Sequence, residues 1–222
     1  MSMIVTTEYE LSQVAAPNLP LATPQYDPRY IDQLNNVLRL YFNRLDKILG
    51  QLQTGSGAIE GSGIRFPYGA FSSDQDQTTT ANTATLMTLN TTDFSNGVSI
   101  NSSKITVTTP GIYNLQFSAQ FQNTDNQIQD ISIWLKQNGT DIPGSTGLVS
   151  IPARKSASAG EEAHEIIGWN YYVSMAANQY VEIYWSATLA SVTIQAYPTS
   201  TSPTRPSTQS VVATLSFVSA LP

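Results

Sequence analysis

The 222-residue sequence has no cysteine, a single histidine (His164) and few charges, with Asp, Glu, Lys and Arg making up 12% against about a quarter in ordinary globular domains. Each shortage excludes a class of chemistry. Without cysteine there is no disulfide scaffold, no thiolate zinc site and no Cys nucleophile, so the fold must be held by its core or by subunit contacts. Ten Lys and Arg against sixteen Asp and Glu give a net charge of −6. That balance repels a phosphate backbone and leaves no basic stripe for nucleic acid. Met1 to Glu10 has neither the basic start nor the apolar core of a signal peptide, and no run approaches the length of a membrane span, so neither secretion by the usual route nor membrane insertion is expected.

What replaces the charges is Thr, Ser, Asn and Gln, with 41% hydrophobic residues beside them. Small polar and β-branched residues suit strands whose outer faces are neutral and hydrogen-bonding. The apolar share supports one domain-sized core plus an appendage.

Residues 1–27 contain Pro17, Pro20 and Pro24 and little periodicity, which reads as an extended arm. Asp27 then offers a capping carboxylate, and Pro28 suits the first helical position because its φ is preset and its missing N–H would be unpaired anyway. From there Ile31, Leu34, Leu38, Tyr41, Leu45, Ile48 and Leu52 follow alternating spacings of three and four. With Ile31 at position a, this is an unbroken heptad seam over 28–52, about 37 Å of helix. Leu at a with mixed residues at d departs from the two-stranded pattern and favours three strands or more. Val37, Leu40, Phe42 and Leu49 widen the apolar surface, so packing of the helix on its own domain is the alternative. Residues 53–63, with Gly55, Gly57, Gly61 and Gly63, read as a glycine hinge.

From Ile64 to Pro222 the period is two. Tyr113, Leu115, Phe117, Ala119 and Phe121 alternate with Asn114, Gln116, Ser118, Gln120 and Gln122, a half-buried strand with a wet face. The same alternation runs through Ile131 to Leu135, Ile167 to Met175, Val181 to Trp185 and Val211 to Phe217. Asn138-Gly139 marks a tight hairpin. Many strands and no convincing helix over residues 64–222 predict a mostly β protein with a β-sandwich head.

The run Lys104 to Phe121, with Pro110-Gly111-Ile112-Tyr113 between two strands, resembles the jelly-roll head shared by tumour necrosis factor ligands and complement globular domains. Ile131 to Leu135 closing on Asn138-Gly139, the strand pair from Tyr171 to Trp185 and a terminal strand at Leu215 to Val218 continue the likeness. A Thr-rich opening, Thr78 to Thr92, and Asn178-Gln179 in place of a Gly-Asp turn depart from it. At the other end, Leu19 to Tyr30 and Leu38 to Asn43 resemble the amino-terminal segment of virion structural proteins of tailed phages from marine bacteria. The first resemblance implies a three-fold head, and a heptad helix before it would lie on the same axis. The second implies that residues 1–27 dock on capsid or tail proteins.

Trp134, Tyr172 and Tyr184 fall on strand faces opposite the core sets, as candidates for the subunit interface. Ordinary exposed aromatics, or a second buried face, would look the same. Glu161-Glu162-Ala163-His164-Glu165 is the densest ionisable cluster, but it lacks helical HExxH spacing and reads as solvated surface in a loop. Asp74-Gln75-Asp76 has alternate carboxylates without the glycine and distal Glu of a calcium loop. No serine sits in a G-x-S-x-G elbow, so no enzyme activity is expected, and nothing calls for a cofactor or metal. Asn90, Asn101 and Asn138 form sequons that follow from Asn and Thr abundance. The long connections 141–165 and 197–209 hold Arg154, Lys155, Tyr197 and Arg205, side chains suited to anionic or sugar groups, with plain solvated loops as the alternative.

The expectation is a non-enzymatic homotrimer with arm, coiled coil, hinge and jelly-roll head. As a phage virion surface protein it would be a short fibre or a decoration protein, meeting a host-surface glycan or protein where attachment is its task. The alternative is a ligand-type trimeric binding module of cellular origin.

Overall fold

The computed structural model describes residues 17–21, 25, 27–53, 66–156 and 160–221, with the side chains of 48–53 outside that set. The chain divides into two compact units, Met1–Phe66 and Pro67–Pro222. Most of the arm, the glycine hinge and the seam side chains of Ile48 and Leu52 lie outside the described residues.

In the first unit, helix α1 spans Pro28–Gln53. Its start follows from its cap. Asp27 Oδ1 accepts from the Arg29 N–H at 2.9 Å and the Asp27 carbonyl from the Tyr30 N–H at 3.1 Å, satisfying donors that the first turn leaves open. Leu34, Leu38, Tyr41 and Leu45 are half-buried and Ile31 is 39% exposed; no side chain from 28 to 47 is buried.

Among the described residues the second unit holds fifteen strands: β1 (Tyr68–Ser73), β2 (Thr85–Leu86), β3 (Thr91–Asn96), β4 (Val98–Asn101), β5 (Lys104–Val107), β6 (Gly111–Asn123), β7 (Gln129–Gln137) and β8 (Thr140–Asp141), followed by β9 (Gly147–Ile151), β10 (Ala163–Met175), β11 (Tyr180–Ala187), β12 (Val192–Ile194), β13 (Ser200–Thr201), β14 (Thr204–Arg205) and β15 (Val211–Ser219). One sheet runs β10-β6-β15-β1-β3 with β12 also on β6, and the other β4-β5-β11-β7-β8 with β2 on β11 and β9 on β7. Count the eight main strands β1, β5, β6, β7, β9, β10, β11 and β15 in chain order. The first then lies beside the eighth, the eighth beside the third and the third beside the sixth, while the second lies beside the seventh, the seventh beside the fourth and the fourth beside the fifth. That is the order of a jelly-roll β-sandwich.

The alternating residues of the strands meet between the sheets. Tyr113, Leu115, Ala119 and Phe121 of β6, with Val211, Ala213 and Leu215 of β15 in the same sheet, face Ile131, Ile133 and Leu135 of β7 and Val181, Ile183 and Trp185 of β11, all buried. A fully buried side chain of this size stabilises the fold by about 1.5–3 kcal/mol. An edge-to-face ring pair ties the layers further, Phe121 with Trp185 at 5.5 Å between centroids, while Phe117 and Trp169 pack edge-to-face at 4.7 Å as cross-strand partners within one sheet.

Turn chemistry sets the register. Asn138 and Gly139, at φ 52° and 80°, join Gln137 to Thr140 in a two-residue hairpin turn that requires positive φ at both positions. Asn178 turns between β10 and β11 at φ 65°, a conformation that asparagine tolerates where glycine is commoner. At Gly168 a Cβ would collide with the Phe117 carbonyl and lie 3.0 Å from Ser118 Cα, so only glycine lets β10 pass this close to β6.

Candidate functional site

The jelly-roll order decides which loops meet. β1, β6 and β11 leave the sandwich at Ser73, Asn123 and Ala187, and β7, β10 and β15 enter it at Gln129, Ala163 and Val211. Segments 74–84, 124–128, 152–156, 160–162 and 188–210 therefore share one end. The chain enters this unit at the opposite end, through Pro67 and Tyr68. Arg154, Lys155, Tyr197 and Arg205 all belong to that shared loop end.

Two local networks organise it. In the first, Asn123 Nδ2 donates to the carbonyls of Gln127 and Pro152 at 2.9 Å each. Arg154 Nε donates to Asn126 Oδ1 at 2.6 Å and the Arg154 N–H to the Asp125 carbonyl at 2.9 Å, so Arg154 braces the β6–β7 turn. The Lys155 backbone N–H donates to the Glu161 carbonyl at 2.9 Å, which places Lys155 in the neighbouring turn.

The second network joins residues 74–77 to the segments around 195 and 209. Gln77 exchanges backbone hydrogen bonds with Ile194 at 2.8 and 2.9 Å, and its buried amide donates to the Thr88 carbonyl and accepts from the Thr88 N–H. Asp76 Oδ1 accepts from the Ala196 N–H at 2.9 Å. In the amide orientation that satisfies both neighbours, Gln195 donates to Asp76 Oδ2 at 3.1 Å and accepts from Thr193 Oγ1 at 2.8 Å. Tyr197 and Thr208 exchange backbone hydrogen bonds at 3.0 and 2.7 Å, closing 197–208 into a strap that ends in the β13–β14 hairpin carrying Arg205. Between strap and loop lies an open cleft of about 600 Å³, lined by Asp74, Gln75, Asp76, Ala196, Tyr197, Pro198, Ser207, Thr208 and Gln209.

Its electrostatics follow from these contacts. Hydrogen bonds from Gln75 and Asn90, at 2.9 and 2.6 Å, hold the Asp74 carboxyl below its ordinary value of 3.8. Partial burial, with the carboxylates of Asp76 and Glu162 nearby, pushes the Tyr197 phenol above 10.0 against an opposing pull from Arg205. Among the described residues no group of three or more His, Cys, Asp or Glu is placed to hold a metal ion.

No protein-family model matches the chain, and no curated protein matches it in sequence. Among solved structures it is similar to the globular domain of a zebrafish complement 1qA protein. The identity is 11%, covering 71% of this chain and 100% of that one, with a TM-score of 0.40. The jelly-roll assignment rests on the strand order described above.

Two sequence expectations need correction. His164 lies in β10, paired with Gln122, and not in a loop, because β6 extends far enough to pair with Ala163 and His164. The connection 141–165 is interrupted by β9, which pairs with the first half of β7.

The three aromatic interface candidates do not form one patch. Trp134 and Tyr184 are cross-strand partners with centroids 6.0 Å apart. Trp134 Nε1 donates to Asp141 Oδ1 at 2.8 Å, and Lys136 Nζ sits 4.5 Å above the Tyr184 ring and 3.5 Å from Asp141. Tyr172, 58% exposed, is on the other sheet.

That other sheet holds a feature that sequence reading missed. On its outer face, from Ile112 to Gln120 of β6, Ile166 to Ser174 of β10 and Val212 to Ser216 of β15, no outward position is charged. Ile166 and Tyr172 stand well exposed there, and the enclosed side-chain oxygen of Asn114 has no hydrogen-bond partner among the described residues. The signal is recoverable only after register brings the three strands together.

Proposed function

We propose that this protein is a non-catalytic homotrimer on the surface of a phage virion, a short fibre or decoration protein whose jelly-roll head carries its loops outward. The observation that carries the trimer is the open heptad face of α1. Leu34, Leu38, Tyr41 and Leu45 line one side of a 26-residue helix, and none is buried. A narrow stripe with period 3.5 is matched by supercoiled copies of itself. Each Leu so covered would contribute about 1.5–3 kcal/mol per chain.

The head supports the same symmetry. The charge-free outer face of β10-β6-β15, with Tyr172 and Ile166 exposed on it, is suited to a subunit contact, since charged side chains are depleted at interface centres and aromatics enriched. The face bearing Trp134 and Tyr184 is less suited, because Lys136 and Asp141 already engage those rings. Three chains sharing one axis would present three copies of each loop, and avidity then multiplies a weak single-site affinity.

Attachment to a particle is supported by the likeness of residues 19–30 and 38–43 to phage virion proteins. The test is direct. The protein should appear in purified particles, and a chain lacking residues 1–27 should still form a trimer but no longer be incorporated. Its absence from particles that carry every other structural protein would overturn the virion assignment.

A further inference from the structure

The cleft at the loop end has a chemistry of its own. Its walls supply two carboxylates, Asp74 and Asp76, the amides of Gln75 and Gln209, and the hydroxyls of Ser207 and Thr208, around the ring of Tyr197. No Lys or Arg lines it. Carboxylates without a lining cation disfavour phosphate, sulfate and uronate groups. Two carboxylates with no third acidic or histidine ligand beside them fall short of a metal-ion site among the described residues. Groups rich in O–H donors and carrying an apolar C–H face remain, because carboxylates and amide oxygens accept hydrogen bonds and an aromatic ring offers a flat apolar surface.

Tyr197 is fixed for that role. Its hydroxyl lies 3.1 Å from His164 Nδ1, its ring meets the imidazole edge-to-face at 5.7 Å, and its backbone is tied to Thr208 on both sides. The side chain therefore loses little freedom when a ligand lands on it. The volume of about 600 Å³ is in the range of small-ligand sites and has room for a short oligosaccharide.

We propose that this cleft binds a neutral saccharide, stacking one pyranose ring on Tyr197 and receiving its hydroxyl donors on Asp74 and Asp76. The inference deepens the reading of the head as the outward, recognising part and rests on it for its setting. The binding itself belongs to the cleft of a single chain.

The test is saturation-transfer NMR on the full chain, with methyl mannoside, methyl galactoside and methyl glucoside as neutral probes and glucuronic acid as the anionic one. Transfer to the ring protons of at least one neutral glycoside is expected, with none to glucuronate. Tyr197→Ala should weaken the signal at least about tenfold and Tyr197→Phe should retain most of it, because the ring and not the hydroxyl forms the platform. Asp74→Asn, which keeps the loop's shape, should weaken it by a smaller factor. Far-ultraviolet circular dichroism and the assembly mass of each variant report folding. A folded Tyr197→Ala variant that binds as well as the parent, preference for glucuronate, or no transfer from any neutral glycoside at millimolar concentration would overturn the proposal. A trimer found in particles that binds no sugar sinks the cleft assignment alone. A monomer that binds sugar sinks the trimer assignment alone.

Discussion

The hydroxyl of Tyr197 lies 3.1 Å from Nδ1 of His164, the single histidine of the chain. This contact links the 197–208 strap to the first turn-facing residues of β10. It closes one side of the loop end with two side chains 33 positions apart.

Removing that hydroxyl should leave the fold in place. Tyr197→Phe deletes one exposed hydrogen bond, so the expected loss is about 0.5–1.5 kcal/mol at most by chemical denaturation. The same variant assigns the tyrosine titration. The Tyr197 phenol is raised, so its contribution to stability is complete below pH 10.0 and is lost as pH rises through the higher folded value. An ultraviolet difference titration of parent minus variant should show a phenol ionising later than a free tyrosine. Ionisation at or below the ordinary value would contradict the partial burial of the phenol with Asp76 and Glu162 near it.

Asp74 gives the opposite sign. Its pKa is lowered, so the hydrogen bonds from Gln75 and Asn90 contribute above the ordinary carboxylate value and are lost as pH falls through the lowered one. Asn90→Ala should return the Asp74 carboxyl toward 3.8, read from its side-chain carbon shift in an acid titration. No change on that substitution would show that Asn90 does not hold the carboxylate.

The core has a centre at Trp185, fully buried against Phe121. Trp185→Ala should cost about 3–5 kcal/mol. Trp185→Phe should cost much less, because the indole Nε1 has no partner among the described residues and phenylalanine removes that buried donor while keeping a ring. Equal losses in a urea titration would show that the indole N–H is paired.

Gly168 should tolerate no side chain. A methyl there meets the Phe117 carbonyl, and that contact is with backbone, so β6 and β10 would have to separate. Gly168→Ala is expected to lower stability by about 1–3 kcal/mol. A variant with unchanged denaturation midpoint would contradict the close pairing of these strands.

These elements differ in how far they could be read from sequence. The periods of the β6 and β7 residues needed no tertiary information, because Tyr113 to Phe121 and Ile131 to Leu135 alternate within their own strands. Asn138-Gly139 declared its turn because both positions need positive φ. His164 was misplaced for a reason of range: the composition of 156–160 suggests a loop, and only pairing with Gln122, more than 40 positions earlier, extends the strand to include it. Glu182 is only 5% exposed although it lies on a strand's outer face. The register sets Lys136 on one side of it, and the pairing of Val181 with Ile105 sets Lys104 on the other. Sequence singles out Asp74-Gln75-Asp76 and Tyr197 separately, but only the fold brings residues 74–76 and 196–209 to the two walls of one cleft. The heptad stripe was legible as spacing, but its partner is not written in one chain.

That partner is the central claim, and Leu34 and Leu38 are its most direct probes. A chain carrying Leu34→Asp and Leu38→Asp puts charge on the seam while leaving every residue of the head unchanged. Light scattering after size exclusion, at micromolar protein, should give three times the 24.1 kDa chain mass for the parent and a smaller species for the double variant. A parent that elutes with a mass of 24.1 kDa under those conditions would contradict the trimer and, with it, the stalk and the charge-free contact face.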